Sequence, residues 1–291
     1  MVFTTAVVFA AASGSILSRV SAKRPTRSEP RLLRAAQWLY DAHARRERFA
    51  PLPDDLAPRS VDEAYGIQDE FVALRAQQLG AIGGHKIALS TPQMQKFLGV
   101  DAPQAGVMLE STLHRTPARV RAAHYVNLII EFEIALQIAD GLPAADAPFS
   151  RERVAQAVGA AMPAIELADD RSAVYTELAR RPLELICDNA WNEGAVLGYP
   201  VEQWRKLDLA QVRGVASING REIGEGRGAD ALGHPLDALA WIANHLASSG
   251  RSLVRGDVVI TGSLVTTKPG RAGDLVKFAV EGLGEVELRI D

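Results

Sequence analysis

The run Ile130-Glu131-Phe132-Glu133-Ile134-Ala135-Leu136 constrains this chain more than any other segment. In a strand alternate residues share a face, so Phe132, Ile134 and Leu136 turn one way and Glu131 and Glu133 the other. The apolar face needs a second layer to cover it. The other face carries two neighbouring carboxylates, which repel and which a hard divalent cation relieves. Taken alone, the same pattern also suits a half-buried strand with its polar face in water.

A third acid favours the cation. Glu166 sits in Met162-Pro163-Ala164-Ile165-Glu166-Leu167, after a stretch that reads as an Ala-rich helix. Acids are seldom buried unless paired or bound to metal. Three carboxylates with open coordination positions describe a Mg²⁺ or Mn²⁺ site that accepts substrate oxygens. A salt bridge from Glu166 to Arg171 is the alternative. At Gly83-Gly84-His85-Lys86-Ile87 a lysine follows a glycine pair that allows close backbone approach. Beside a bound substrate it can supply charge or relay protons, with burial and a nearby cation lowering its pKa. An isolated lysine would be read as exposed and structural.

The surrounding pattern changes along the chain. Leu32, Ala36, Leu39 and His43 follow helical spacing, and a second helix starts at Ser60, with Glu63 completing a capping box and Gly80 as its stop. Beyond Gly83 short apolar or alternating runs predominate: Tyr125–Ile138, Val196–Gly198, Val212–Ile218, Val258–Thr261, Leu275–Val280 and Val286–Ile290. Asn219-Gly220 predicts a hairpin. Ser150 caps a predicted helix containing Val154, Ala157, Val158 and Ala161, and Pro235 opens another through Leu246. The expectation is an α+β chain, with a helical portion over 31–82 and a β-rich catalytic domain over 83–291. Residues 1–30 read as a disordered or mis-started extension, with a targeting peptide as the lesser reading.

Composition excludes other classes. With 32 basic against 35 acidic residues, the 291-residue chain lacks the basic excess of a nucleic-acid binder. At 47% hydrophobic residues it can bury a core, which a disordered chain cannot. One cysteine, Cys187, rules out an intrachain disulfide and a Cys-rich zinc site, so a reducing, cytoplasmic setting is the simplest fit. Outside the N-terminus no apolar stretch approaches the roughly eighteen residues of a membrane helix.

These pieces form an ordered set. Gly84-His85-Lys86-Ile87-Ala88-Leu89 precedes Leu98-Gly99-Val100-Asp101-x-Pro103-x-x-Gly106, then Glu131-x-Glu133, Glu166 and Asp188-Asn189-Ala190. Gly228-Ala229-x-x-Leu232-Gly233-x-Pro235-Leu236, Gly256-Asp257 and Gly273-Asp274 follow. Over roughly residues 32–288 the set resembles the 2-keto-4-pentenoate hydratases and related 4-oxalocrotonate decarboxylases of the fumarylacetoacetate hydrolase superfamily. The resemblance implies a mixed β-roll, a Mg²⁺ or Mn²⁺ held by Glu131, Glu133 and Glu166, and Lys86 as the active-site lysine. It sets His85, Gln104, Asp188, Trp191 and Ser263 at the substrate. It also implies a homo-oligomer, with a decarboxylase or aldolase partner as a further option. Hydrolase relatives usually have Asp where Glu166 stands, which favours the hydratase and decarboxylase branch.

Two positions depart from the family pattern. Gln104 replaces an acid, and Gln cannot exchange protons as a carboxylate does. Trp191 stands where the family has Ser, filling volume that a small hydroxyl leaves open. His114, His124, His234 and His245 share no metal-ligand spacing and read as structural or exposed. Gly224-Glu225-Gly226-Arg227-Gly228 reads as a flexible loop lining the site rather than a phosphate loop. The implied activity is hydration of a 2-hydroxy-2,4-dienoate to a 4-hydroxy-2-oxo acid, as in aromatic meta-cleavage catabolism, with no nucleic-acid or membrane partner. The alternatives are decarboxylation of a 2-oxo-3-enedioate and a catalytically silent ligand-binding paralogue.

Overall fold

A computed structural model describes residues 29–291, so the extension read over 1–30 lies, up to residue 28, outside the described residues. Two helices open the described chain, α1 (Pro30–Ala44) and α2 (Val61–Leu79). Ser60 Oγ accepts from the amide of Glu63, while Glu63 reaches back to the amide of Arg59 rather than that of Ser60. The predicted capping box is therefore half formed, with the acid displaced by one residue. Then come β1 (Ile82–Ala88), α3 (Pro92–Leu98), β2 (Gln104–Leu109), β3 (Leu113–Arg115), β4 (Ala118–Val120) and β5 (Leu128–Ile138). α4 (Arg151–Ala157) runs directly into β6 (Val158–Asp169), followed by α5 (Tyr175–Leu178), α6 (Leu183–Cys187) and β7 (Asn192–Leu197). The chain closes with β8 (Arg213–Ile218), β9 (Arg221–Arg227), α7 (Pro235–Ser248), β10 (Val258–Pro269), β11 (Leu275–Val280) and β12 (Gly284–Ile290).

The strands form two mixed sheets, in the orders β2-β1-β10-β5-β6-β7-β3 and β4-β12-β11-β8-β9. The expected α+β architecture is present. Phe132, on the apolar face of β5, meets Phe278 of β11 with ring centroids 5.5 Å apart, so the core lies between the sheets. That arrangement turns Glu131 and Glu133 to the opposite face of the larger sheet. The Asn219-Gly220 turn joins β8 to β9 with both residues at positive φ, as a tight hairpin requires.

Two local readings change. The helix expected to run on through Val158 and Ala161 ends at Ala157, and those residues belong to β6. Almost every residue of β6 is buried between β5 and β7, so its sequence shows no period of two and its alanines mimic a helix. Gly224-Glu225-Gly226-Arg227 is likewise strand β9 and not a flexible loop. A side chain at Gly226 would strike the backbone of Leu264, so glycine lets β9 lie against β10. The residues that follow, Ala229 and Asp230, do reach the cavity described below.

Candidate active site

The candidate site is laid across five neighbouring strands, β10, β5, β6 and β7 with β1 beside β10. β5 and β6 are antiparallel with Glu131 directly opposite Glu166, and Glu133 pairs across to Ser263 of β10. One carboxylate oxygen from each of Glu131, Glu133 and Glu166 lies within 4.8 Å of the others. Glu133 and Glu166 are fully buried and Glu131 is half-buried.

Each acid is held by a donor on one side. The amide of Gly262 donates to Glu133 Oε2 at 2.6 Å, and Thr267 Oγ1 donates to Glu131 Oε1 at 2.9 Å. Glu166 Oε1 accepts from Asn192 Nδ2 at 2.8 Å and faces Lys86 Nζ at 3.1 Å. Glu133 Oε1 and Glu166 Oε2 are buried with no donor at all. Burial, reinforced by Glu166 and Glu131, pushes the Glu133 carboxyl well above the usual range. Burial also raises Glu166, against the opposing pull of Lys86. Buried carboxylate oxygens without donors are costly, and hard oxygen ligands converging on one point suit Mg²⁺ or Mn²⁺. The residues fit a divalent cation. Arg171, the alternative partner for Glu166, pairs instead with Asp188.

Lys86 is brought in by close packing of backbone. A Cβ at Gly84 would run into the Val258 carbonyl on β10, and one at Gly106 would meet the Lys86 stem at 2.8 Å. Only glycines leave room for the lysine between β2 and β10. Its ammonium also lies 3.4 Å from the carbonyl of Ala190. Burial works to lower the Lys86 pKa but is outweighed by Glu166, Glu131 and Glu133, so the group is held up and charged. The surrounding acids thus outweigh the depression that burial alone would bring.

The segment 188–193 supports both groups. Asn189, Ala190 and Trp191 are consecutive left-handed residues at φ 51°, 48° and 60°, a conformation that costs non-glycine residues. It is clamped on both flanks. Asn189 donates to and accepts from the Val107 backbone at 2.8 and 2.7 Å. Asp188 accepts from His43 Nε2 and Arg171 Nη2, both at 2.6 Å. Glu193 is gripped by both terminal nitrogens of Arg75 and lies 3.3 Å from His43 Nδ1. Burial opposes ionisation of Asp188, yet Arg171 and His43 hold its carboxyl below the usual range. Burial likewise opposes that of Glu193, which Arg75 and His43 pull down to about 2.

A cavity of about 1120 Å³ opens onto this face, and its walls include Lys86, Glu131, Trp191 and Ser263. The Ser263 hydroxyl is occupied, donating to the Val265 carbonyl at 2.7 Å and accepting from the Phe132 amide at 3.0 Å. Of the five residues set at the substrate, three lie outside those walls. His85 alternates with Lys86 and so faces the other side of β1, where burial and Arg251 lower its pKa to about 4. Gln104 begins β2 and donates to the Pro182 carbonyl at 3.3 Å. Asp188 is spent on its ion pairs. Sequence reasoning missed Asn192 and Thr267, which orient two of the acids, and the triad His43, Arg75 and Glu193. His234 accepts from the Leu236 amide as the cap of α7, and His245 stacks on Trp241.

The chain is similar to known proteins over most of its length. The fumarylacetoacetate hydrolase C-terminal family profile matches residues 81–291. The chain belongs to that family. It is 30% identical to a 2-hydroxyhexa-2,4-dienoate hydratase of Comamonas testosteroni over 87% of this chain and 95% of that one. It is 32% identical to a 2-keto-4-pentenoate hydratase of Burkholderia vietnamiensis over 86% and 94% of the two chains. Among solved structures, 4-oxalocrotonate decarboxylase from Pseudomonas putida G7, complexed with calcium and acetate, superposes with a TM-score of 0.81. That likeness has 25% identity and covers 93% of this chain and 100% of the decarboxylase. No helix among the described residues is long and apolar enough to cross a membrane.

Proposed function

We propose that this protein is a divalent-metal-dependent hydratase that adds water to a 2-hydroxy-2,4-dienoate, giving a 4-hydroxy-2-oxo acid. The observation that carries the reading is the meeting of Glu131, Glu133 and Glu166 with two buried, donorless oxygens beside a charged lysine. The hydratase names of the sequence relatives support it. Glu131, Glu133 and Glu166 would hold Mg²⁺ or Mn²⁺. Bound there, the ion supplies Lewis-acid polarisation of the substrate's 2-oxygen. Lys86, charged and set in the cavity wall, donates to negative charge as it develops on the substrate. Asn192, Thr267 and the Gly262 amide hold the carboxylates in place before substrate arrives, so little reorganisation is left for the reaction itself. The reading includes a homo-oligomer, for which the family resemblance is the support and light scattering the check.

Chelator-treated protein should leave the dienoate's ultraviolet absorbance unchanged, and added Mg²⁺ or Mn²⁺ should start its decay, with a 4-hydroxy-2-oxo acid as product. Likeness to the decarboxylase favours one competing reading. Release of CO₂ from a 2-oxo-3-enedioate, with no hydration of the dienoate, would replace the hydratase by that activity.

A further inference from the structure

The cavity beside Lys86 has a carboxylate end, an apolar side and a neutral polar stretch made by Ser90, Thr91, Gln93 and Gln95. At the carboxylate end stand Lys86, Glu131 and Thr267. Leu98, Ala168, Leu178, Leu185 and Trp191 form one apolar cluster that lines another side. The cluster is rigidly packed, with Trp191 edge-on to Tyr175 at 5.5 Å and to Phe49 at 5.9 Å. The one hydroxyl among these aromatics, on Tyr175, is used in donating to Asp170 at 3.1 Å. Among the described residues, the charged side chains of the wall are Lys86, Glu131 and Asp230. The cation is already engaged with Glu166, and the other two are acids.

Resting on the hydratase reading, we infer that the substrate carries a single carboxylate and an uncharged apolar tail, an alkyl or aryl group seated on Leu98, Leu178, Leu185 and Trp191. A second carboxylate seated against that apolar side would find no cationic partner, since the other charged side chains of the wall are Glu131 and Asp230, and a charge desolvated without a partner is strongly disfavoured. Each tail methylene buried on that wall strengthens binding about fourfold. The cavity, at about 1120 Å³, exceeds the roughly 300–1,000 Å³ of ordinary small-molecule sites, so a five-carbon acid would leave most of it unfilled.

The test uses the full-length, Mn²⁺-loaded protein and three 2-hydroxy-2,4-dienoates with the same head: tailless, butyl- or phenyl-tailed, and carboxylate-tailed. The apolar-tailed acid should exceed the carboxylate-tailed one in kcat/KM by on the order of a hundredfold, and should also exceed the tailless acid. Equal or faster turnover of the carboxylate-tailed acid overturns the inference, as does a best rate with the tailless acid. Calorimetric binding of the matching saturated 2-oxo acids separates this from the function itself. If no dienoate turns over, the hydratase reading fails, and the tail assignment then stands on tighter binding of the apolar-tailed acid or falls without it. Leu178→Lys should shift the kcat/KM ratio at least about tenfold toward the carboxylate-tailed acid. An unchanged ratio in folded Leu178→Lys would remove that wall from the tail site. Should the variant not fold, the wild-type series decides.

Discussion

Two acidic clusters meet the segment 188–193, one formed by its own ends and one touching it through Lys86 and Asn192. In one, Asp188 and Glu193 are enclosed by Arg171, His43 and Arg75, two acids against three cationic side chains. In the other, Glu131, Glu133 and Glu166 share Lys86, three acids against one cation. The surroundings push their pKa values in opposite directions, down for Asp188 and Glu193, up for Glu133 and Glu166. Burial is common to both, so burial alone does not distinguish a structural acid from a functional one. What distinguishes them is completeness: all four carboxylate oxygens of the first cluster find donors in the protein, and the second keeps two buried oxygens without any.

The sharpest way to test that contrast is to neutralise one acid in each cluster. Glu166→Gln should abolish metal-dependent turnover while leaving the fold intact. Undiminished Mn²⁺ binding by this variant would count against the assignment. In chelated protein Glu133→Gln should cost little stability, because it removes a buried carboxyl crowded by Glu131 and Glu166 whose Oε1 has no donor. Asp188→Asn should instead cost about 3–5 kcal/mol in urea unfolding, since it strands the fully buried Arg171.

Lys86→Met comes next. Loss of a preorganised charge should lower kcat on the order of a hundredfold, with Mn²⁺ affinity nearly unchanged and folding checked by circular dichroism. A folded, metal-loaded variant with near wild-type kcat would remove Lys86 from the mechanism. Thr267→Val should weaken Mn²⁺ binding about tenfold, because it removes only an orienting bond to Glu131.

The smallest effect is graded with pH. Because its folded pKa is raised, Glu133 favours the fold below the ordinary glutamate value, and that contribution is lost as pH climbs through the raised value. Glu193 behaves oppositely, contributing above the ordinary value and losing its contribution as pH falls toward 2. Urea midpoints of chelated protein between about pH 5 and 8 should therefore fall less steeply with rising pH in Glu133→Gln than in wild type. Parallel slopes would show that Glu133 is already ionised in the metal-free fold.

The two clusters also differ in how legible they were. Glu131 and Glu133 announce themselves because β5 has one buried and one polar face, and Glu166 because an acid among apolar residues is rare. The β11 run Leu275–Val280 and the Asn219-Gly220 turn were readable for the same local reasons. The strand carrying Glu166 was not, since burial on both faces erases its period. The satisfied cluster left no local trace: His43 and Asp188 are 145 positions apart, and Arg75 and Glu193 are 118. Pairing over such separations is decided by topology, which no window of sequence contains. Asp188 is visible as part of a motif, but its partners His43 and Arg171 are not.

The family profile begins at residue 81, and the helices before it look dispensable by that measure. Their side chains say otherwise. Gln68 of α2 donates to the carbonyls of Ala105 and Ile186 at 2.8 and 3.0 Å, and α1 and α2 bring His43 and Arg75 to the acids at 188 and 193. Cutting at the profile edge would strip three donors from the interior of the part retained. That edge marks where the family profile starts, not where an autonomous folding unit does, and the likeness to the hydratases reaches beyond it. A shuffled or truncated descendant that lost α1 and α2 would have to reinvent their polar contacts before its β-roll could stand alone.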